Sequence, residues 1–155
     1  GASGDAYHVT APDEHGDGAR RVMAAAMRIG GVSPMQVGHI NCHATSTPVG
    51  DACEAEAIRA LFAANPDLQI TSSKGALGHL LGAAGAVESI ITVLSLYHKT
   101  IPATANLHQR SDDIPHSLNI VTGSPAAAPD LELALSNSFG FGGVNASILF
   151  GRVDP

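Results

Sequence analysis

An apolar helical segment at about residues 82–98 constrains the fold of this chain more than any other feature. Its residues are small and apolar on nearly every side, whereas a helix with one wet face would show polar residues at a period of 3.6. We therefore predict a core helix that is covered by layers on both sides. A β-like run at 68–71 precedes it, and a glycine-rich turn between the two carries Lys74 and His79. These groups, with Glu88 inside the helix, suggest a site of chemistry at the start of a buried helix.

The composition excludes several classes of protein. The 155 residues fit one domain, and 45% hydrophobic against 14% charged residues suits a tightly packed α/β protein or part of a larger assembly. The net charge of −6, the pI near 5.6 and the lack of a Lys/Arg run argue against a nucleic-acid surface. No stretch reaches the ~18 uninterrupted apolar residues of a membrane span, because the longest candidate, 83–97, contains Glu88.

The start of the chain and its two cysteines bear on its context. No signal or transit peptide pattern is visible, and the opening residues 1–5 (GASGD) resemble the middle of a protein. With the burial pattern of 82–98, this predicts a piece of a longer protein. Cys42 and Cys53 form no disulfide framework, so we expect a reducing compartment.

Strand and helix patterns alternate in the first two thirds of the chain. An irregular loop at 1–16 precedes a helix at 18–29, with Asp17 as its cap, Val22, Met23, Ala26 and Met27 inside, and Arg20, Arg21 and Arg28 outside. A strand at 37–42, a helix at 51–64 and a strand at 68–71 follow. Strand–loop–helix repeated twice predicts an α/β sheet.

The last third is less regular and then returns to β-structure. Prolines and glycines interrupt 100–129, where one strand at 118–121 is plausible. Strands at 131–137 and 144–150 flank a glycine loop at 139–143, which predicts a hairpin-like pair.

Three loops at strand ends carry the polar residues from which chemistry could be built. The first offers His43, Thr45 and Thr47, the second Lys74 and His79, and the third the backbone N–H groups freed by the glycines around Phe141. Loops at the carboxyl ends of strands converge on the site of an α/β sheet. Two neutral imidazoles and backbone amides are what a developing enolate or oxyanion needs.

Each loop also has a plain structural interpretation. Thr45 and Thr47, two residues apart, could present both hydroxyls to a linear, amide-bearing ligand, or they could cap the following helix. Lys74 could form a partly buried pair with Glu88 and keep His79 neutral through its positive field. The glycine loop could be a tight hairpin and nothing more. The three loops together favour a site.

Other site motifs fit poorly. The glycines at 78, 82 and 85 have the wrong spacing for a dinucleotide fingerprint, and there is no Walker-type lysine motif. The cysteines and histidines lack a spaced CxxC pair, which argues against zinc, and a serine triad lacks its GxSxG elbow.

Three motifs resemble a known family. Residues 41–51 (NCHATSTPVGD), 73–88 (SKGALGHLLGAAGAVE) and 137–145 (NSFGFGGVN) are similar to the β-ketoacyl-[acyl-carrier-protein] synthases, most closely the elongating synthases I and II of fatty-acid synthesis. Residues 3–12 and 102–107 also fit, so the likeness spans essentially the whole chain. Cys42 stands where alanine is usual, and residues 71–74 read TSSK where SSTK is commoner.

The resemblance implies a fold and a missing part. The fold is α/β and thiolase-like, a layered αβαβα sandwich with a mixed sheet, of which residues 1–155 would be the C-terminal half. The nucleophilic cysteine of the family lies in the N-terminal half, and neither Cys42 nor Cys53 matches it. We therefore expect this chain to be inactive alone.

The resemblance also assigns expected roles to individual residues. His43 and His79 would stabilise the enolate formed when malonyl thioester loses CO2, and the Phe141 backbone N–H would supply half of an oxyanion hole. The remaining roles are support, substrate binding and gating of the acyl pocket. Support falls to Lys74, Glu88 and Asp51, substrate binding to Thr45, Thr47, Phe139 and Gly142, and gating to Asp5, Gly140, Phe141 and Gly143.

The expected partners follow from the same family. They are acyl carrier protein with phosphopantetheine-bound acyl and malonyl groups, the N-terminal ketosynthase half, and a second copy in a homodimer. No cofactor, metal, nucleic acid or membrane span is expected, and the compartment would be a bacterial cytoplasm or a mitochondrial or plastid matrix. Two alternatives remain: a non-catalytic half that pairs with another ketosynthase-like chain, and a fragment of a polyketide synthase.

Overall fold

A computed structural model describes residues 1–153 and shows one six-stranded mixed sheet with helices on both faces. The helices are α1 (Asp17–Gly30), α2 (Pro48–Leu61), the single-turn α3 (Lys74–Leu77) and α4 (Ala84–His98). The strands are β1 (Ala2–Gly4), β2 (His39–Asn41), β3 (Gln69–Thr71), β4 (Thr100–Ile101), β5 (Asn119–Ile120), β6 (Ala126–Ala127), β7 (Leu133–Gly140) and β8 (Val144–Gly151). Turns of 3-10 helix occupy Pro34–Gln36, Leu81–Ala83 and Phe141–Gly143.

The order of the strands brings the three polar loops to one edge of the sheet. The order is β1-β8-β7-β2-β3-β5, with β7, β2, β3 and β5 parallel and the β1–β8 and β8–β7 pairs antiparallel. Asn41 at the end of β2 is in register with Thr71 at the end of β3 and with Ser136 on β7. The segments that follow these strands therefore leave the sheet at the same edge, as the sequence predicts.

Helix α1 packs on the sheet through the face that its sequence predicts. The four predicted inward residues are all buried, whereas the arginines at 20, 21 and 28 are exposed. Gly31 ends the helix in the left-handed conformation, with φ of 68°, which glycine adopts without a steric penalty. The same face contributes to the main core cluster, which also contains Ile40 of β2, Ile58 of α2 and Leu135 of β7.

Helix α2 begins three residues earlier than predicted. Thr47 is the N-cap, and Pro48 occupies the first helical position, where its fixed φ and missing N–H cost nothing. The helix ends at Leu61 rather than at 64, because Phe62 leaves helical geometry and is buried in the core. Asp51 therefore lies inside the first turn instead of starting the helix.

The described residues cover only one side of α4, so the second of the two predicted layers is not among residues 1–153. The buried face of α4 consists of Ala84, Glu88, Thr92, Ser95 and Leu96 and lies against its own sheet. The opposite face is exposed and apolar, with Ile90, Val93, Leu94 and Tyr97 between 44% and 75% exposed. The helix thus turns its polar side inward, and nothing in residues 1–153 covers its apolar side.

By length and composition the segment Leu81–His98 could also cross a membrane, a test that core helices of soluble proteins pass too. Glu88 argues for packing here, because it pairs with Lys74 against the sheet.

Several short strands are absent from the sequence prediction. The predicted loop at 1–16 contains β1, which pairs antiparallel with β8 from Ala2 and Ala146 onward. Strands β4 and β6 form a separate two-stranded sheet. The predicted strand at 118–121 is confirmed as β5 but has only two residues, and the strand predicted at 131–137 runs from Leu133 to Gly140.

Candidate active site

A cavity of about 540 Å³ lies where the three polar loops meet. Most of the site residues predicted from the sequence line it, namely Asp5, His43, Thr45, Thr47, His79, Phe139, Gly140, Phe141, Gly142 and Gly143. Lys74 and Glu88 do not line it but lie buried behind it, and Asp51 lines a separate cavity of about 390 Å³. The fold therefore brings ten of the thirteen predicted residues to one cavity.

Two histidines face each other in this cavity. The His43 and His79 ring centroids are 5.5 Å apart, with an interplanar angle of 84°, and Phe139 packs 5.7 Å from His43. The Leu81 backbone N–H donates to Nδ1 of His79 at 3.2 Å. Because Nδ1 accepts this bond, the neutral His79 ring carries its proton on Nε2, where it can donate to a ligand.

The electrostatic environment keeps His43 neutral. Burial lowers the pKa of His43 to about 4, with smaller contributions from the Lys74 ammonium and from His79. Desolvation and a nearby positive charge both disfavour an imidazolium ion. The structure thus shows an effect of the Lys74 charge on His43 that the sequence did not predict.

Lys74 and Glu88 form a fully buried ion pair, whereas the sequence predicts a partly buried one. Lys74 Nζ lies 2.5 Å from Glu88 Oε1, and the two side chains are 5% and 4% exposed. Lys74 starts the four-residue α3, and Glu88 projects from the buried face of α4. The pair joins the turn that carries His79 to the helix beneath it.

The hydroxyl groups of Thr45 and Thr47 lie side by side, as their spacing predicts. Their Oγ1 atoms are 3.3 Å apart. Thr47 is the N-cap of α2, yet its side chain makes no capping hydrogen bond. Between them Ser46 adopts a φ of 64°, and its backbone N–H donates to Asp51 Oδ1 at 3.1 Å. Burial raises the pKa of Asp51, and the loop N–H groups oppose that rise.

The glycine loop is held against the segment that carries Asp5. The Asp5 N–H donates to the Gly143 carbonyl at 2.8 Å, and the Gly142 N–H donates to the Val9 carbonyl at 2.7 Å. Gly143 has a φ of 75°, and a Cβ atom there would lie 2.2 Å from the Asp5 carbonyl oxygen. Phe141, at the tip of the loop, is 80% exposed.

Sequence reasoning missed two residues that organise the site from below. Glu54 is buried on α2, and its carboxylate accepts hydrogen bonds from the backbone N–H groups of His43 and Ala44, at 3.1 and 2.8 Å. Asn137 on β7 donates to the same carboxylate at 3.0 Å. Burial raises the pKa of Glu54, and these hydrogen bonds oppose the rise. No local sequence signal marks Glu54, because Glu56, two residues later on α2, stands among the same alanines.

The environment of neither cysteine activates it as a nucleophile. Burial, with the nearby Glu54 carboxylate, raises the pKa of Cys42 well above its ordinary value. Burial, with Asp13 and Glu14, also raises the pKa of Cys53, although Cys53 lines the cavity. The thiolate is the reactive form, and a raised pKa disfavours it. Within residues 1–153, no three His, Cys, Asp or Glu side chains are grouped so that they could hold a metal ion.

Comparison with known proteins identifies the family. A family described as "Beta-ketoacyl synthase, C-terminal domain" matches residues 1–108. The chain belongs to this family. It is 46% identical to the mitochondrial 3-oxoacyl-[acyl-carrier-protein] synthase of Arabidopsis thaliana, over 99% of this chain and 33% of that protein. It is 44% identical to 3-oxoacyl-[acyl-carrier-protein] synthase 2 of Vibrio cholerae, over 99% of this chain and 37% of that protein.

A solved structure gives the same result at the level of fold. This chain is similar to a chain of a solved complex described as a type II PKS acyl-carrier protein with its ketosynthase bound to the hexaketide. The TM-score is 0.92 and the identity 28%, over 99% of this chain and 37% of the matched chain. The predicted thiolase-like α/β fold with a mixed sheet is confirmed. The chain spans about a third of the length of the curated relatives it matches.

Proposed function

We propose that this chain supplies the malonyl-binding wall of a fatty-acid 3-oxoacyl-[acyl-carrier-protein] synthase, a transferase that performs a decarboxylative condensation. The single observation that carries the proposal is the pair of histidines in the cavity, whose ring centroids are 5.5 Å apart. The Leu81 N–H occupies Nδ1 of His79, which leaves its Nε2–H for a ligand, and the lowered pKa of His43 keeps that ring neutral. Two neutral imidazoles beside each other suit a thioester oxygen that gains negative charge.

In the proposed reaction the histidines act on the donor substrate. The malonyl carboxylate leaves as CO2, and the electron pair of the broken C–C bond forms an enolate whose oxygen accepts hydrogen bonds from His43 and His79. The enolate carbon then attacks the carbonyl of an acyl group held as a thioester, and the thiolate leaves. In this scheme the backbone N–H of Phe141 stabilises the oxyanion of that second step.

The remaining predicted residues receive supporting roles in the same scheme. Lys74 keeps His43 neutral, and Glu88 neutralises the lysine so that its charge is tolerated in the interior. The paired hydroxyls of Thr45 and Thr47 hydrogen-bond the amides of the phosphopantetheine arm, and Asp51 holds the loop between them. Asp5, Gly140 and Gly143 control the movement of Phe141 at the acyl pocket, a role that the hydrogen bonds between their two segments support.

The proposal requires a covalent nucleophile outside these 155 residues. The raised pKa values of Cys42 and Cys53 oppose that role for either thiol. We infer that a segment equivalent to the rest of the longer relatives provides the cysteine and covers the exposed apolar face of α4. The expected partners are this N-terminal ketosynthase half, acyl carrier protein and a second copy in a homodimer.

The relatives favour fatty-acid over polyketide synthesis. The curated relatives at 44% and 46% identity are named 3-oxoacyl-[acyl-carrier-protein] synthases, whereas the type II PKS ketosynthase is 28% identical. The histidine pair in the cavity argues against the other alternative, a non-catalytic half. One relative is mitochondrial and the other bacterial, so the compartments proposed for this chain are the bacterial cytoplasm and the mitochondrial or plastid matrix.

The test measures CO2 release from malonyl-acyl carrier protein by the native gene product that carries these residues. We expect His43→Ala and His79→Ala each to lower the rate by at least about 100-fold, the usual loss for a group that stabilises a developing charge. His98→Ala is the matched control, because His98 also packs edge-on against an aromatic ring, that of Tyr97, but lies at the far end of α4. Wild-type rates in both cavity variants would refute the proposal.

A further inference from the structure

Residues 102–107 wrap around the turn that carries Lys74. The Ser72 backbone N–H donates to Thr104 Oγ1 at 3.1 Å, and Asn106 Nδ2 donates to the Gly75 carbonyl at 2.8 Å. Between these two contacts Ala105 lies so close that a Cβ atom on Gly75 would be 2.2 Å from its carbonyl oxygen. The segment and the turn therefore fit together with no space for a larger residue.

The wrapping segment is itself fixed to the sheet. The Thr104 N–H donates to the Val121 carbonyl at 2.8 Å, immediately after β5. Asn106 adopts a φ of 62°, a left-handed conformation that asparagine tolerates better than most residues. In this conformation the Asn106 amide reaches the Gly75 carbonyl.

The turn needs such support because it cannot hold its own shape. Helix α3 has only four residues, and a single helical turn fixes its dihedral angles at a net cost. Its other tethers come from β2 and the loop that follows it: Ser72 Oγ donates to the Ala44 carbonyl at 3.0 Å, and Asn41 Nδ2 donates to Ser73 Oγ at 3.0 Å. Thr104 and Asn106 hold the turn from a different segment of the chain.

The position of this turn determines two features of the cavity. Lys74, at its centre, is the charged group that adds to the desolvation of His43. His79 follows directly after Gly78, which ends α3 with a φ of 74°. A displacement of the turn would therefore move the lysine charge relative to His43 and the His79 ring relative to the cavity.

We propose that Thr104 and Asn106 are positioning residues, which act through the backbone of residues 72–75 to place Lys74 and His79 for the reaction. The inference rests on the proposed function, and neither residue touches the cavity that contains the two histidines. They extend the site to a fourth segment of the chain, which lies between β4 and β5.

The test uses isosteric and backbone-matched variants of the native gene product. Thr104→Val removes the hydroxyl acceptor with little change in volume, and Thr104→Ser retains it. Asn106→Gly removes the amide but tolerates the positive φ. Thr100→Val is the matched control, because the Thr100 hydroxyl also makes one hydrogen bond, to the His98 carbonyl at 3.1 Å, away from the turn.

We expect Thr104→Val and Asn106→Gly each to lower kcat for malonyl decarboxylation by about five- to ten-fold, the equivalent of one neutral hydrogen bond, with KM little changed. The acidic limb of the pH profile of kcat should move to higher pH in both variants, because a displaced Lys74 lowers the pKa of His43 less. Thr104→Ser and Thr100→Val should match wild type. A purely structural role would alter thermal stability without moving the pH limb.

A second readout separates this proposal from the proposed function. The titration of the His43 imidazole, followed by NMR, should move from about 4 towards its ordinary value in Thr104→Val but not in Thr104→Ser. If wild type released no CO2, the proposed function would fail, and the titration would still decide whether Thr104 positions Lys74. An unchanged His43 titration together with an unchanged pH profile in both Thr104→Val and Asn106→Gly would overturn the proposal.

Discussion

The buried Lys74–Glu88 pair predicts a large and asymmetric response to mutation. Lys74→Met removes the charge but keeps most of the side-chain volume, and it leaves the Glu88 carboxylate without its cation at 4% exposure. An uncompensated buried charge of this kind costs about 3–5 kcal/mol. For a protein whose total stability is about 5–15 kcal/mol, this is a substantial share of the free energy of unfolding.

The double variant should recover most of that loss. In Lys74→Met/Glu88→Leu no charge remains, and two apolar side chains of similar volume replace the pair. Such replacements are often neutral or stabilising by about 1–4 kcal/mol, because the desolvation penalty of both ions disappears. The two single variants should therefore each be less stable than the double variant, which gives a large coupling energy in the mutant cycle.

The assay is urea unfolding of the native gene product, with the midpoint and slope recorded for all four members of the cycle. Arg59→Met is the matched control, because Arg59 Nη2 also lies 2.5 Å from a carboxylate oxygen, Glu56 Oε1. In that pair, however, the two side chains are 49% and 43% exposed. We expect little change there, since water screens an exposed pair. Two results would refute the argument from burial. One is an equal loss in free energy of unfolding for Lys74→Met and Arg59→Met. The other is a loss in the double variant that equals the sum of the losses in Lys74→Met and Glu88→Leu.

Three further predictions follow from particular contacts. Glu54→Gln should lose about 1–3 kcal/mol, because an amide NH2 replaces an oxygen that accepts a backbone N–H. Burial raises the pKa of Glu54, so its stabilising contribution is complete below its ordinary value of 4.5 and is lost as pH rises through the raised value. The difference in free energy of unfolding between wild type and Glu54→Gln, measured by urea unfolding, should therefore become smaller as pH rises above the ordinary pKa of 4.5. A difference that grows with pH would contradict this. Gly143→Ala should destabilise more than Gly142→Ala in thermal unfolding, since both have positive φ but only a Cβ at 143 meets a backbone carbonyl. A polypeptide of residues 1–155 alone should self-associate and bind a hydrophobic dye, and Ile90→Lys/Leu94→Lys should reduce both; a dye-free monomer would count against an uncovered face.

The first two loops of the site could be predicted because each of them begins where a strand pattern ends. His43 and His79 each follow a short β-pattern, and parallel strands deliver such loops to one edge. The glycines around Phe141 indicated the third loop, and the resemblance of the three motifs to one family then assigned its role. What the pattern could not show was that the Lys74 charge acts on the His43 imidazole, because that depends on how the turn is oriented over the sheet.

The support beneath the site was not predictable from local pattern. Glu54 and Glu56 alternate with alanines in the same helix and look equivalent in sequence. Glu54 is buried beneath the His43 loop, whereas Glu56 pairs with Arg59 on the surface. Strand β1 was missed for a similar reason, because Ala2–Gly4 has no apolar alternation and is defined only by its pairing with β8.

Helix α4 shows why its composition could not reveal its orientation. The sequence suggested uniform burial, yet the face on the sheet is the polar one: Thr92 Oγ1 donates to the Glu88 carbonyl, and Asn41 Nδ2 donates to the same carbonyl and to Thr92. These polar groups face the sheet because they complete the hydrogen bonds of the site there. Four large apolar side chains are consequently left on the outer face, and exposing them to water is unfavourable. The arrangement that serves the site from one side of α4 thus creates, on its other side, the surface that a second half of the enzyme would cover.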